Sequence, residues 1–341
     1  HGGAAPFLPA ADCRLTPELF LATTRYLRSV LLLLLPTLLL VTIINFVLVR
    51  MAPGDPAVLI AGPDATLAQV EQIRESLGLN GSIIDQLLAY FGKLIVGDFG
   101  YSYTFKQPVM DILLPKMGNT LLLSGIAFIF SLVVGVGLGI LSATRPGGIA
   151  DRIGVATSVI IYAMPSFLIG VLAIMIFAVY WRWFPTEGMF SLGMKWGKEG
   201  AFGDLVRHIV LPAATLALPN IALFARMTRS SMLEVIKQDY IVLARSKGLN
   251  ERAVYIRHGF RNALMSVVTL IGLAVSNLLM GSAIVETVFS WPGMGKLMYD
   301  AVTLRDYNIL LGGFIVFSLV QLLSSLITDI VYTRLDPRVR Y

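Results

Sequence analysis

Six stretches of this chain run for 18 to 29 residues without an aspartate, glutamate, lysine or arginine: 29–49, 118–144, 153–181, 208–225, 262–285 and 307–328. A helix that crosses a bilayer needs about 20 apolar residues, with a range of about 17–25. All six stretches qualify, the fourth by the narrowest margin. Only 14% of the residues are charged and the mean hydropathy is +0.76, whereas a soluble domain carries about 25% charged residues. The pattern predicts an all-α, polytopic membrane protein with six transmembrane helices. The first stretch is too long for a signal peptide and lacks a small-residue cleavage site, so it reads as a retained anchor.

Six crossings put both termini on one side. Lysine and arginine number three in residues 1–28, two between the second and third stretches, eight in 226–261 and three after the sixth. The alternating loops hold the remaining 11 of the 27 in more residues. The basic side is cytoplasmic by the positive-inside rule. The expected order is a cytoplasmic tail at 1–28, the first transmembrane helix at 29–49, an extracytoplasmic loop at 50–117, a transmembrane core at 118–332 and a cytoplasmic tail at 333–341. Within the core, residues 226–261 form a long cytoplasmic loop. The net charge of +6 reports this bias, and there is no basic-aromatic pattern for nucleic acid. The one cysteine, Cys13, excludes an intrachain disulfide.

The outer loop carries its own structure. Thr66-Leu-Ala-Gln69 fits a capping box. Leu67, Val70, Ile73 and Leu77 then share a helical face, and Gly78 suits a C-cap. A second helix is expected over 83–95. Such a pair serves either as a docking or gate surface or as a packed cap.

Several chemistries are missing. The phosphate cradle G-x-x-x-x-G-K-[ST] does not occur, nor does H-E-x-x-H or G-x-S-x-G. With three histidines, His1, His208 and His258, a histidine-built metal site is not expected. No acid lies within a charge-free stretch, and Glu286 and Asp329 fall just past the ends of two of them. Ion-coupled carriers usually place ionisable groups at depth. The driving energy is therefore expected to enter from elsewhere.

The segment 226–261 offers the entry point. Asp239 can N-cap a short helix from Tyr240, Arg245 and Lys247 complement its last turn, and Gly248 stops it. Ile236, Tyr240, Leu243 and Ala244 share a face. Such a helix suits a groove on a cytoplasmic partner, the alternative being a basic segment lying on anionic lipid.

At these residues a resemblance is plain. Ala225-Arg-Met-Thr-Arg-Ser-Ser-Met-Leu-Glu-Val, Asp239-Tyr240, Leu243-Ala-Arg-Ser-Lys-Gly-Leu249 and His258-Gly-Phe-Arg-Asn-Ala-Leu264 closely resemble the permeases of ATP-binding-cassette importers, in the peptide, dipeptide and nickel group. Met51-Ala-Pro-Gly-Asp-Pro56, Phe289-Ser-Trp-Pro-Gly-Met-Gly295 and Arg305-Asp-Tyr307 agree, so the resemblance runs from about Arg25 to Tyr341. It implies a type I importer permease that translocates short peptides or a similar small solute by alternating access. The expected partners are a second homologous permease, two ATPase subunits, an extracytoplasmic solute-binding protein and the lipid of the bacterial inner membrane. ATP and Mg would belong to the ATPases, leaving this chain without cofactor, metal or catalytic residue. Asp239, Tyr240, Leu243, Ala244, Arg245, Lys247 and Gly248 would form the coupling helix. Asp55, Trp291, Pro292, Gly293 and Gly295 would face the outer gate or the binding protein. Against the general importer pattern E-A-A, three residues, G, the chain matches only at Ala244 and Gly248. Asp239-Tyr240 before the Ala-Arg-Ser-Lys-Gly run is the usual variant of this group, and Ser266 replaces a proline common after Arg-Asn-Ala. The substrate-binding residues and the solute stay open. The alternative is a self-sufficient channel or secondary carrier.

Among the remaining residues, Pro165, Pro212 and Pro219 read as static kinks in preference to moving hinges. Gly135 and Gly139 form a G-x-x-x-G pattern for close helix packing. Asn45, Asn220, Asn277 and Gln321 are polar at depth, and interhelical hydrogen bonding or a solute path would use them. The Trp291 turn reads as an outer turn, an interfacial tryptophan anchor being the alternative.

Overall fold

The computed structural model describes residues 36–51, 55–62, 65–76 and 78–335. The expected tail at 1–28, the start of the first stretch, Leu77 and the last six residues lie outside them. The chain is mostly helical. Helix α1 spans Pro36–Met51. The segment that follows folds as α2 (Pro56–Ala61), α3 (Leu67–Ser76), α4 (Ile83–Ile95) and a hairpin of β1 (Tyr101–Ser102) and β2 (Gln107–Pro108), in antiparallel register. The core is built from α5 (Val109–Thr144), α6 (Ile149–Ala163), α7 (Ser166–Ala173), α8 (Ala201–Val235) and α9 (Asp239–Ser246). It continues through α10 (Glu251–Ala253), α11 (Arg261–Val288), α12 (Met294–Leu304) and α13 (Tyr307–Leu335). Wide π-type turns extend α7 through Ile174–Tyr180 and join α10 to α11 through Val254–Phe260.

Among the described residues, α5, α8 and the 307–328 part of α13 are each long and apolar enough to cross a membrane. The third charge-free stretch is a pair of helices, Asp151–Ala163 and Ser166–Tyr180, bent by 105°. The break is local chemistry. A residue before proline avoids the helical region, and Met164 is extended at φ −82°, ψ 132°. Pro165 therefore divides the segment, where a kink in one rod is the sequence expectation. Pro212 and Pro219 do sit inside one continuous helix, α8.

Helices overrun the charge-free stretches. With 35 residues, α8 is about 52 Å long, so the run 225–235 is its last three turns and not a loop. Helix α11 likewise continues past residue 285 and takes in Glu286.

Helices α5 and α8 meet backbone to backbone. A Cβ on Gly135 would lie 2.7 Å from the Phe224 Cβ, and one on Gly139 would lie 2.7 Å from the Ala225 carbonyl. The G-x-x-x-G pair thus lets the two backbones touch, as the sequence predicts. A buried cluster around Leu123, Leu216, Phe289 and Trp291 fills one end of the bundle. A second, around Phe46, Leu113, Met298 and Ile309, joins α1 to α5, α12 and α13. A smaller one, Ala143, Met232 and Ala263, closes the opposite end.

Helices α3 and α4 start where the sequence places them. Thr66 and Gln69 form the reciprocal cap of α3, the Thr66 N–H donating to Gln69 Oε1 at 2.8 Å. Gly78 follows in the left-handed region at φ +66°. Ser82 and Asp85 make a second capping box that begins α4. The shared apolar face of α3 holds at Val70, which is buried, and fails at Leu67, which is 89% exposed.

Candidate functional site

Two clusters of polar contacts lie at opposite ends of the bundle. Thr120 belongs to one and Ala143 to the other, which places them about 35 Å apart along α5 at 1.5 Å per residue.

The first cluster surrounds α9. Gln238 is extended and takes the N-cap position without a side-chain bond, so Asp239 is the first residue of the helix and not its cap. Its carboxylate still favours the N-terminal end of the dipole. Lys247 ends the helix and Gly248 turns it at φ +77°, its N–H donating to the Arg245 carbonyl at 2.9 Å. The apolar face differs from the expected one. Ile241 and Ala244 are buried against Val254, whereas Ile236 packs with the Ala143, Met232 and Ala263 group. That leaves Tyr240, Val242 and Leu243 outward, the last two more than half exposed. Ala244 is thus a packing residue, and the outward ridge is Tyr240, Val242 and Leu243.

Two contacts hold this helix in place. Arg245 donates from Nε to Glu251 Oε1 at 2.9 Å, which raises the pKa of the guanidinium above its ordinary value. The pair is largely exposed, and such pairs contribute about 0–1 kcal/mol. The second contact is specific to two of the recognised blocks: the Asn262 side-chain amide donates to the Tyr240 hydroxyl at 2.6 Å. It ties α9 to the base of α11. Nearby, Asp151 is buried and accepts from Arg229 Nη2 at 2.8 Å and from the Gly147 N–H at 2.8 Å. This ion pair pins the start of α6 to the end of α8.

The second cluster surrounds Glu286, whose carboxylate is fully buried. The Thr120 hydroxyl donates to its Oε1 at 2.7 Å, and the Lys296 N–H in the first turn of α12 donates to its Oε2 at 3.1 Å. Thr120 also accepts from the Met294 N–H at 2.8 Å. Asn119 brackets the turn, accepting the Trp291 indole N–H at 3.0 Å and donating to the Pro292 carbonyl at 2.9 Å. Trp291 has no exposed surface, so it is a core residue of the turn and not an interfacial anchor. Gly293 is required by space, since a Cβ there would overlap the Glu286 carboxyl group. A Cβ on Gly295 would overlap the backbone of Ala283 in the same way. The four residues 291, 292, 293 and 295 thus come together as one tightly packed corner.

Asp55 lies apart from that corner. It caps α2, accepting from the Ala57 N–H at 2.9 Å, and pairs with Arg74 of α3. Burial pushes its carboxyl up. The Arg74 hydrogen bond, the Ala57 amide and the Arg74 charge outweigh that, and the carboxyl titrates below its usual range. Asn262 falls within a recognised block without being singled out there, whereas Glu286, Thr120, Asn119 and Asp151 are not legible as site residues from the sequence. Of these four, the position of Glu286, just past an apolar stretch, gives a signal. No group of three or more His, Cys, Asp or Glu side chains able to hold a metal ion occurs among the described residues.

Residues 135–341 match the family model described as binding-protein-dependent transport system inner membrane component. The chain belongs to this family. Residues 23–124 match the N-terminal model of the same systems. The permease is 39% identical over 308 residues to the oligopeptide transport system permease protein AppB of Bacillus subtilis, covering 90% of this chain and 96% of that one. It is 37% identical over 308 residues to the glutathione transport system permease protein GsiC of Escherichia coli (strain K12), with the same coverage. Its fold is similar to a chain of the MetNI methionine ABC transporter in an inward-facing form, with a TM-score of 0.53 at 20% identity. That match covers 67% of this chain and 97% of the other. The permease is accordingly a membrane subunit of an ATP-driven importer, a class that works with ATPase and binding-protein partners.

Proposed function

We propose that the permease carries short peptides or a similar small solute inward across the bacterial inner membrane. The observation that carries this reading is the outward apolar ridge of α9, Tyr240, Val242 and Leu243, on a short helix closed by Gly248 and tied to α11 through Asn262. The ridge would seat in a groove of an ATPase subunit. Two such ATPases, a second homologous permease and an extracytoplasmic binding protein complete the assembly. ATP and Mg are held by the ATPases, and this chain contributes no catalytic residue. The names of the relatives, oligopeptide and glutathione permeases, support a peptide-like cargo.

In this reading the chain crosses the bilayer six times with both termini in the cytoplasm. The third crossing is the bent pair α6 and α7. The α9 end faces the cytoplasm and the Glu286 corner faces out. The roughly 35 Å between the two clusters supports this, being close to the bilayer's hydrocarbon thickness of about 30 Å. Helix α11 carries Asn262 near its start and Glu286 near its end. A push on α9 would therefore reach the outer corner through one rod.

The test is reconstitution. Liposomes with the full assembly should take up peptide only with ATP and the binding protein present. Solute flux through this chain alone, without ATPases, would replace the reading with a self-sufficient channel or carrier.

A further inference from the structure

A cavity of about 770 Å³ opens between α1, α4, the β1–β2 hairpin and the start of α13. It lies at the Glu286 end, away from the seam where α5 meets α8. Three buried polar atoms on residues lining it have no hydrogen-bond partner: Arg50 Nε, Tyr90 Oη and Gln86 Oε1. The Gln86 amide nitrogen is committed to the carbonyls of Leu79 and Gly81, at 3.1 and 2.9 Å, which leaves Oε1 as the open end. Leaving buried polar atoms unmatched costs about 1–3 kcal/mol each. Three around one cavity indicate a polar occupant.

The kind of group left unmatched narrows its chemistry. Arg50, Lys93 and Arg305 line the cavity. Three carboxylates beside them balance that charge, and each accepts from a neutral donor of the chain. Asp85 accepts the Ser82 hydroxyl at 2.7 Å in the α4 cap, Asp98 accepts the Gly100 N–H at 2.8 Å, and Asp306 accepts the Ser102 hydroxyl at 2.5 Å. What remains open to a ligand is the pair of unmatched donors, Arg50 Nε and Tyr90 Oη, with the Arg50 guanidinium held 5.4 Å above the Phe46 ring, so a fitting ligand offers accepting oxygens.

An independent feature gives the rest of the occupant. Helix α4 has no fully buried residue, and Ile84, Leu88 and Ile95 stand exposed along it. Tyr101 and Tyr103 beside the cavity are part-exposed, and tyrosines favour the headgroup level of a bilayer. An amphipathic helix of this kind lies in the plane of the interface.

We propose that this cavity holds the phosphate headgroup of a phospholipid, with its acyl chains lying along the exposed apolar side of α4. Arg50 and Tyr90 donate to the phosphate oxygens, a hydroxyl of the headgroup donates to Gln86 Oε1, and Lys93 supplies charge at the rim. The inference rests on the reading that α1 crosses the membrane and α4 lies at its outer surface.

The experiment uses the whole transporter purified in mild detergent and partly delipidated, with retained phospholipid counted by native mass spectrometry. The wild-type complex should retain lipid that Arg50→Gln binds about tenfold or more weakly, the loss of one charge-assisted hydrogen bond. Tyr90→Phe removes one hydroxyl and Lys93→Gln changes an exposed side chain, so both keep the test open should Arg50→Gln fail to fold. Each should retain less lipid than wild type. Equal retention in Tyr90→Phe and Lys93→Gln, or no retained lipid in wild type, would overturn the proposal and leave the cavity to water. Thermal protection by free glycerol phosphate equal to that by phosphatidylglycerol would overturn the lipid assignment in favour of a soluble phosphate. Topology is read separately, by labelling a Ser82→Cys in a Cys13→Ser chain. Labelling from the cytoplasmic side would contradict the orientation without touching the lipid count.

Discussion

Gly293 and Glu286 occupy each other's space. The glycine lacks the Cβ that would strike the carboxyl group, and the carboxylate accepts from Thr120 and the Lys296 N–H in that same corner. Gly293→Ala should therefore cost about 1–3 kcal/mol as an overpacked site. Glu286→Ala should cost a similar amount by stranding buried donors. The two should not add, because shortening Glu286 removes the group that the added methyl would strike. Thermal unfolding of the two single variants and the double variant checks this, and additive losses would contradict it. The corner also marks where sequence reasoning stops. Phe289 to Gly295 stands out as a block, but the hydroxyl that binds Glu286 lies 166 residues earlier. Periodicity and capping rules see only neighbours along the chain. Trp291 likewise reads as part of an exposed outer turn, with an interfacial anchor as the alternative, and only packing reveals that it is enclosed.

Elements are legible where their chemistry is local. The capping box at Thr66 and Gln69 and the bounds of α4 follow from residues within one turn of each end. Helix lengths are not, because polar residues are tolerated inside helices. Asp111 and Lys116 lie within α5, and Arg226 and Arg229 within α8. A charge-free stretch marks the most apolar part of a helix, not the whole of it. The α5–α8 contact gives an element-scale prediction. Gly139→Leu should separate the two helices and lower the folded yield and the unfolding temperature, a cost of about 1–3 kcal/mol. Gly137→Leu, where a Cβ meets nothing within 4 Å, should leave both unchanged. The α2–α3 junction gives a pH prediction. Asp55 has a folded-state pKa below its ordinary value of 3.8. Its contribution is thus present above that value and lost as pH falls through the folded one. The stability difference between wild type and Asp55→Asn should be constant from about pH 5 to 8 and shrink below about pH 4.

At the scale of the molecule, α11 joins the two clusters, with Asn262 on the Tyr240 hydroxyl at one end and Glu286 in its corner at the other. The free ridge of α9 is where the driving force would enter. Ala244 is a poor probe of that role, since it is buried and a charge there would damage the fold. A side chain at Gly248 would add backbone strain at φ +77°, which makes that position an equally poor probe. Leu243 is 56% exposed and is spared by the chain's own packing. The decisive measurement is peptide uptake together with substrate-stimulated ATP hydrolysis by a reconstituted complex carrying Leu243→Glu. A coupling role for the ridge predicts a normally inserted permease with an unchanged unfolding temperature and loss of the substrate-stimulated hydrolysis. Uptake should fall by about tenfold or more, the roughly 1.4 kcal/mol equivalent of losing one apolar anchor. Wild-type uptake and stimulation in that variant would contradict it.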